Sequence, residues 1–78
     1  MICYSKDQLM GMSAEQADDL LSQKNVKVSY KDGRVRVGKI YAIECAINSP
    51  NLPVVLRLRE EGDGINIMDD GLEDICVL

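Results

Sequence analysis

Residues 34–46 read RVRVGKIYAIECA, and the alternation of apolar and polar side chains in this stretch predicts a long β-strand. Its inward set begins at Val35 and Val37 and then changes parity at Gly38, so that Ile40 falls on the even positions. A one-residue slip of this kind is typical of a β-bulge, and glycine tolerates the bend that a bulge imposes. A long strand that bends at a glycine allows a small sheet to curl into a barrel, and we expect Gly38 to be that point.

The segments around this strand predict further strands and turns. Residues 26–30 alternate in the same way, and the Asp32-Gly33 pair that follows is a hairpin signal, with Gly33 supplying the positive φ that the turn needs. We expect residues 48–53 (NSPNLP) to form a loop. Apolar alternation then predicts three more short strands, at about residues 54–58, 65–68 and 72–77.

A helix is predicted before the first strand. Two S-x-x-Q patterns, beginning at Ser5 and Ser13, are each the signature of a capping box at a helix start. Gly11 is expected to end a first short turn of helix. The second pattern leads into a stripe at helical spacing that we expect to pack against the sheet, formed by Ala14, Ala17, Leu20 and Leu21. The predicted helix covers about residues 14–23.

Length and composition indicate one small domain with an aliphatic core, because the 78 residues include no Phe and no Trp. No run of about 18 apolar residues predicts a membrane-spanning helix, and no targeting pattern opens the sequence, so we expect a cytoplasmic protein without membrane contact. The three cysteines form no C-x-x-C pair. We expect Cys45 and Cys76 to be small buried residues and Cys3 to lie near the surface.

The Asp-Gly turn followed by V-R-V-G-K-I at residues 35–40, together with a helix and five bent strands, resembles the Sm and Sm-like (LSm) proteins. The glycine, aliphatic, aspartate and asparagine places of that family's first motif hold Gly38, Ile40, Glu44 and Asn48 here, so glutamate stands in place of the aspartate. The resemblance implies a single Sm-like domain over residues 1–78, with a strongly bent, five-stranded antiparallel β-barrel over about 25–78. It also implies a homo-oligomeric ring, in which the fourth barrel strand pairs with the fifth of the next subunit, and single-stranded RNA bound in the pore.

Carried over by position, Asn48 would hydrogen-bond a base, Glu44 would orient the loop, and Ile47 would pack in the core. The chain departs from the family at two places. Ala46 stands where the family usually has a flat side chain that stacks on a base, an interaction worth about 1–3 kcal/mol per base. The acidic residues 69–70 stand where the family has a basic pair. The resemblance is therefore to a divergent member.

A second candidate surface comes from the charge distribution. Residues 24–39 hold six basic side chains against one acid, whereas residues 60–78 hold seven acids and no base. We expect Lys27 and Lys31 to share the outward face of one strand and Arg34 and Arg36 the same kind of face on the next. This hairpin would then meet an anionic partner, either nucleic acid or an acidic protein. The alternative is a solvated face whose lysines prevent aggregation. The full set of candidate binding residues is Lys27, Lys31, Arg34, Arg36, Lys39, Glu44 and Asn48.

The sequence has no histidine, which removes the commonest general base and metal ligand. Its acidic residues lack the spacing of a calcium loop. We therefore predict no enzymatic activity, no cofactor and no metal. The predicted function is that of a non-catalytic Sm-like binding module, homo-oligomeric and RNA-binding. The alternative is a small protein-binding regulatory or accessory module, of the phage or mobile-element type, that acts on a protein partner.

Overall fold

The computed structural model describes residues 1–58 and 64–78. Two helices and six strands follow one another in the order β1 (Ile2–Ser5), α1 (Lys6–Met10), α2 (Ala14–Leu21), β2 (Asn25–Tyr30), β3 (Val35–Ala46), β4 (Ser49–Leu58), β5 (Gly64–Asn66) and β6 (Leu72–Val77). The prediction of a mainly β chain with a helix before the main sheet is confirmed. The strand β1, which precedes both helices, was not predicted.

Both serine capping boxes form as predicted. Ser5 accepts a hydrogen bond from the N–H of Gln8, and Ser13 accepts one from the N–H of Gln16. In return, the Oε1 atom of each glutamine accepts a hydrogen bond from the N–H of its serine. These bonds satisfy backbone groups that a helix start otherwise leaves without partners. The helix α1 ends before Gly11, as expected, and α2 ends two residues earlier than predicted.

The strands form one antiparallel sheet in the order β1-β6-β2-β3-β4-β5. Its two halves are joined by β3, because residues 35–39 pair with β2 whereas residues 40–46 pair with β4. Among the described strands, β1 and β5 each have a single neighbour and form the two edges, so the sheet is not closed into a barrel. The prediction of a five-stranded barrel is therefore wrong in closure and in strand number.

The β3 strand is regular at Gly38, where we predicted the change of parity. Pairing with β2 continues without a shift through Gly38, which is buried opposite Val26. Val35 and Val37, predicted to face inward, are 50% and 54% exposed. In this half of β3, the residues at even positions therefore face inward from the start of the strand.

The change of parity lies at Tyr41 instead. Ile40 pairs with Leu58 in the core, and the next residue of β3 with a partner on β4 is Ala42. Tyr41 is the extra residue of a β-bulge, and Ile43 then takes the inward position on odd numbers. The predicted one-residue shift is present, but it lies at the point where β3 stops pairing with β2 and begins to pair with β4.

The core lies between one face of this sheet and the two helices. Ala17 and Leu21 of α2 are buried, but Leu20 is 39% exposed, so the predicted apolar stripe is only partly correct. Tyr30 is the aromatic member of an otherwise aliphatic cluster. That cluster is formed by Leu9, Leu21, Val26, Val28, Tyr30, Ile40, Leu56, Leu58, Ile65, Ile67, Leu72 and Ile75.

Most of the segment predicted as a loop belongs to β4, which begins at Ser49. Pro53 lies inside this strand, buried opposite Cys45, and the register shifts on both sides of that pair. Proline has no N–H to donate to the ladder, so an irregular stretch is where a strand accommodates it. Between the strands predicted at about residues 54–58 and 65–68, the sequence is charged and favours a turn. Residues 59–63 of this stretch lie outside the described residues.

Candidate functional site

The β3–β4 hairpin ends in a two-residue turn formed by Ile47 and Asn48. Ala46 and Ser49 face each other at its base. The Ile47 side chain is 98% exposed, so its predicted place in the core is wrong. A tight turn projects its central side chains away from both strands, and here that geometry places a large aliphatic group in water.

A second irregularity lies beside this turn. Three residues of β4, 50–52, have no partner between the Cys45–Pro53 pair and the Ala46–Ser49 pair. Leu52 in this bulged segment is 37% exposed. We call residues 47–52 the hairpin end. It presents two large aliphatic side chains, Ile47 in the turn and Leu52 in the unpaired stretch of β4.

The two residues carried over from the Sm motif occupy different settings. Glu44 is exposed and forms an ion pair with Arg57 on the neighbouring strand. Asn48 lies in the exposed turn, and no hydrogen bond joins its side chain to another described residue. The structure therefore links Glu44 to β4 rather than to Asn48. Whether either residue binds a base stays a prediction.

The basic residues are divided between the two faces of the sheet. Lys27 faces Val37 and Lys39 faces Asn25, which places both lysines on the outer face. Arg36 faces Val28, whose side chain is buried, so Arg36 lies on the opposite face. The predicted alignment of Arg36 with Lys27 is therefore wrong.

The position of Arg36 has a physical explanation. Its side chain is half-buried, and its Nη1 atom donates a hydrogen bond to the Gly64 carbonyl oxygen at 3.4 Å. An arginine can lay its aliphatic stem along apolar side chains while its guanidinium reaches a polar group. Alternation alone cannot distinguish this arrangement from an outward arginine.

Arg34 is held within the β2–β3 turn. Its backbone N–H donates to Asp32 Oδ1 at 3.0 Å, and its Nε donates to Asp32 Oδ2 at 2.7 Å. The guanidinium also lies over the Tyr30 ring, 4.8 Å from the ring centre. The backbone N–H of Arg34, followed by its guanidinium, holds the pKa of the Asp32 carboxyl below its ordinary value. Gly33 has the predicted positive φ, +92°.

A pocket of about 200 Å³ opens beside α1 and is lined by Ser5, Lys6, Asp7, Lys31, Leu72 and Glu73. Lys31 directly follows the last residue of β2, and its backbone N–H donates to the Gly71 carbonyl oxygen at 2.8 Å. The Lys6 ammonium donates to the carbonyl oxygen of Asp69 at 2.8 Å and lies 3.4 Å from the Asp70 carboxylate. Acidic and basic side chains both line this pocket, and its Lys6 is already bonded to the turn before β6. The pocket therefore lies where α1 contacts that turn. Within the described residues, no group of three or more potential metal ligands occurs.

Sequence reasoning missed a covalent feature. A disulfide joins Cys3 on β1 to Cys76 on β6, whereas Cys45 is a free, half-buried thiol. Cys76 is buried, as predicted, but it is not a simple apolar residue. The two partners are 73 positions apart, so no local spacing indicates their pairing. The sequence feature that could have indicated this disulfide is the presence of a cysteine in each of two strand-like segments, residues 2–5 and 72–77.

Comparison of the chain with protein-family models, with curated proteins and with solved structures finds no match. Neither of the two helices in the described ranges has the length and apolar character needed to cross a bilayer.

Proposed function

We propose that this protein is a non-catalytic binding module that attaches to a protein partner through its hairpin end. The observation that carries the proposal is the 98% exposure of Ile47 at the tip of the β3–β4 hairpin. Single exposed apolar residues are common on protein surfaces. Ile47 differs because it stands at the end of a paired hairpin with Leu52 on the adjacent bulge. An aliphatic side chain at the tip of a hairpin can enter an apolar pocket of a partner, and its burial there favours binding.

Several features favour a protein over single-stranded RNA as the partner. The net charge is −4. Lys27 and Lys39 lie on the outer face of the sheet, whereas Arg36 lies on the opposite face, so these three side chains do not line one groove. Arg34 is paired with Asp32, and Arg36 reaches Gly64. Proteins that bind single strands combine a continuous basic groove with stacking rings. At the base of the β3–β4 turn, Ala46 occupies the place where the Sm resemblance implies such a ring. Binding of single-stranded RNA is the second candidate function.

The Sm-like architecture and the ring assembly remain proposals. Strands β2 to β6 pair in the order β6-β2-β3-β4-β5, so the last strand returns beside the first, which supports an Sm-like arrangement. The implied ring would use the outer edge of the fifth barrel strand, here β6. That edge is occupied by β1. The covered edge argues against this mode of assembly for the oxidised chain.

The predicted cytoplasmic location stays a prediction. Disulfides persist in oxidising compartments, and in the cytoplasm they are mostly transient. A cytoplasmic protein would therefore carry the Cys3–Cys76 bond only part of the time.

The expected size of the effect at Ile47 follows from burial. Moving an isoleucine side chain from water into an apolar pocket is worth about 1.5–3 kcal/mol. Each 1.4 kcal/mol corresponds to about a factor of ten in Kd. The substitution Ile47→Asp removes this term and adds a charge that the pocket must desolvate. We expect the partner's affinity to fall by about 10- to 100-fold or more.

The test compares Ile47→Asp with Val37→Asp. Val37 is also exposed, but it lies on the outer sheet face opposite Lys27, which can accommodate a carboxylate. Proteins retained by tagged wild-type chain are identified, purified and titrated against all three forms. We expect Ile47→Asp to lose the partner and Val37→Asp to keep it. Equal retention by both variants contradicts the proposal, as does salt-dependent binding of labelled oligo(U) or oligo(A) without any protein partner.

A further inference from the structure

The strand β1 is held weakly by packing. Its neighbour among the described strands is β6, and none of its four residues belongs to the buried core. Tyr4 packs partly against the core, whereas Ile2 is 63% exposed and Cys3 and Ser5 are also exposed. Short paired strands without a well-buried apolar face are marginally stable in water. Something other than burial must keep β1 in place.

The disulfide supplies that attachment. Cys3 and Cys76 face each other across the β1–β6 pair, with Cα atoms 3.9 Å apart. Cys3 is exposed, whereas Cys76 is only 7% exposed. The helix α1, which follows β1, is anchored separately. Its Leu9 is 1% exposed in the core, and its Lys6 donates to the Asp69 carbonyl oxygen. Opening the disulfide therefore frees β1 without freeing α1.

Backbone geometry shows which groups β1 covers. The N–H of Leu78 donates to the Asn25 carbonyl oxygen at the β2 side, at 2.9 Å. N–H directions alternate along a strand, so Cys76 also donates toward β2, while Ile75 and Val77 donate toward β1. The close Cα approach of the disulfide pair agrees, since facing residues that exchange no hydrogen bonds are the closer kind. Two backbone positions of β6 thus depend on β1 for their partners.

We propose that the Cys3–Cys76 disulfide is a redox latch that keeps β1 on the outer edge of β6 and that thiol reductants open. A reductant thiolate attacks Sγ of Cys3, the more exposed of the two cysteines. The S–S bond breaks, and Cys76 Sγ leaves with the electron pair and takes a proton from water. A second thiolate, on the same dithiol, attacks the mixed disulfide at the reductant sulfur. Cys3 is released and protonated, and the dithiol leaves as a cyclic disulfide.

Reduction changes the surface of the molecule without changing its core. In the oxidised form the outer edge of β6 is paired, whereas in the reduced form its N–H and C=O groups are open to pairing with another chain. This edge is formed by β1 and β6, and the hairpin end is formed by β3 and β4. The latch therefore stands independently of the proposed binding at Ile47.

Amide hydrogen exchange followed by NMR tests the latch residue by residue. The samples are oxidised chain, chain reduced with dithiothreitol, Cys3→Ser, and oxidised Cys45→Ser as the matched control that keeps the disulfide. In the reduced and Cys3→Ser forms, we expect exchange at Ile75 and Val77 to rise by about tenfold or more. Exchange at Cys76 and Leu78, which donate toward β2, should change by less than about twofold. The Cys45→Ser control should match the oxidised wild type.

Three results overturn the latch: unchanged exchange at Ile75 and Val77, equal acceleration of all β6 amides, or a disulfide that dithiothreitol leaves intact. Equal acceleration would mean that the bond supports the whole fold. Repeating the comparison in sodium sulfate separates the two cases, because sulfate suppresses global unfolding. Acceleration confined to alternate amides should persist in sulfate if β1 opens locally.

Discussion

Replacing Leu21 with alanine removes a fully buried side chain from the contact between α2 and the sheet. Truncation of a buried leucine to alanine costs about 2–5 kcal/mol, through lost transfer energy and the cavity left behind. A chain of this length has a total stability of about 4–12 kcal/mol. A loss of about 3 kcal/mol would lower Tm by about 12–24 °C in a domain of this size.

The neighbouring Leu20 provides a matched control, because the same substitution is made one position away on the same helix. Leu20 is 39% exposed, so Leu20→Ala should cost less than about 1 kcal/mol. Urea denaturation followed by circular dichroism, under conditions that keep the disulfide, measures both. Equal losses for the two variants, or a larger loss at Leu20, would refute the packing of α2 described above.

Three further predictions concern single sites. A Cβ at Gly64 would overlap Cγ1 of Val55, so Gly64→Ala should lower stability by about 1–3 kcal/mol in urea denaturation. Gly11→Ala is its control, because a Cβ there lies 3.5 Å from the nearest atom, the Asp7 carbonyl oxygen. Asp32 should titrate in NMR with a pKa below its ordinary value of 3.8. Its contribution to the free energy of unfolding is therefore complete above pH 3.8 and is lost as the pH falls through the lower pKa of the folded state. Arg34→Ala should raise this pKa only in part, since the backbone N–H remains; a full return would contradict the assignment. Glu44→Gln should change stability by less than about 1 kcal/mol, because its ion pair with Arg57 is partly exposed.

Local signals in the sequence predicted local structure well. The capping boxes at Ser5 and Ser13 and the positive φ of Gly33 depend on a few adjacent residues, and all three formed as predicted. Their energies are decided within one turn of chain, so distant packing has little influence on them.

The bend of β3 was predicted in kind but misplaced by three residues. A glycine has no side chain that indicates which face it lies on. Alternation predicted that Val35 and Val37 face inward, although both are half exposed. Arg36 takes an inward position, where its guanidinium donates a hydrogen bond to the Gly64 carbonyl oxygen, 28 positions away. That contact depends on the pairing of β4 with β5 and has no signature near Arg36 itself.

The candidate site and the disulfide depended on still longer-range information. The exposure of Ile47 follows from a register in which residues 46 and 49 pair, and an apolar residue in an apolar segment gives no sign of it. The Cys3–Cys76 bond follows from the return of β6 beside β1. Alternation predicts strands, but it does not predict which strands become neighbours.

Photo-crosslinking from position 47 shows whether the hairpin end contacts a protein partner. Ile47 is replaced by a photoreactive phenylalanine analogue, and the same analogue at Val37 provides the control. We expect one defined protein adduct to form from position 47 and none from position 37. Adducts of equal yield from both positions, or an adduct with RNA in place of protein, would show that the hairpin end does not bind a protein partner.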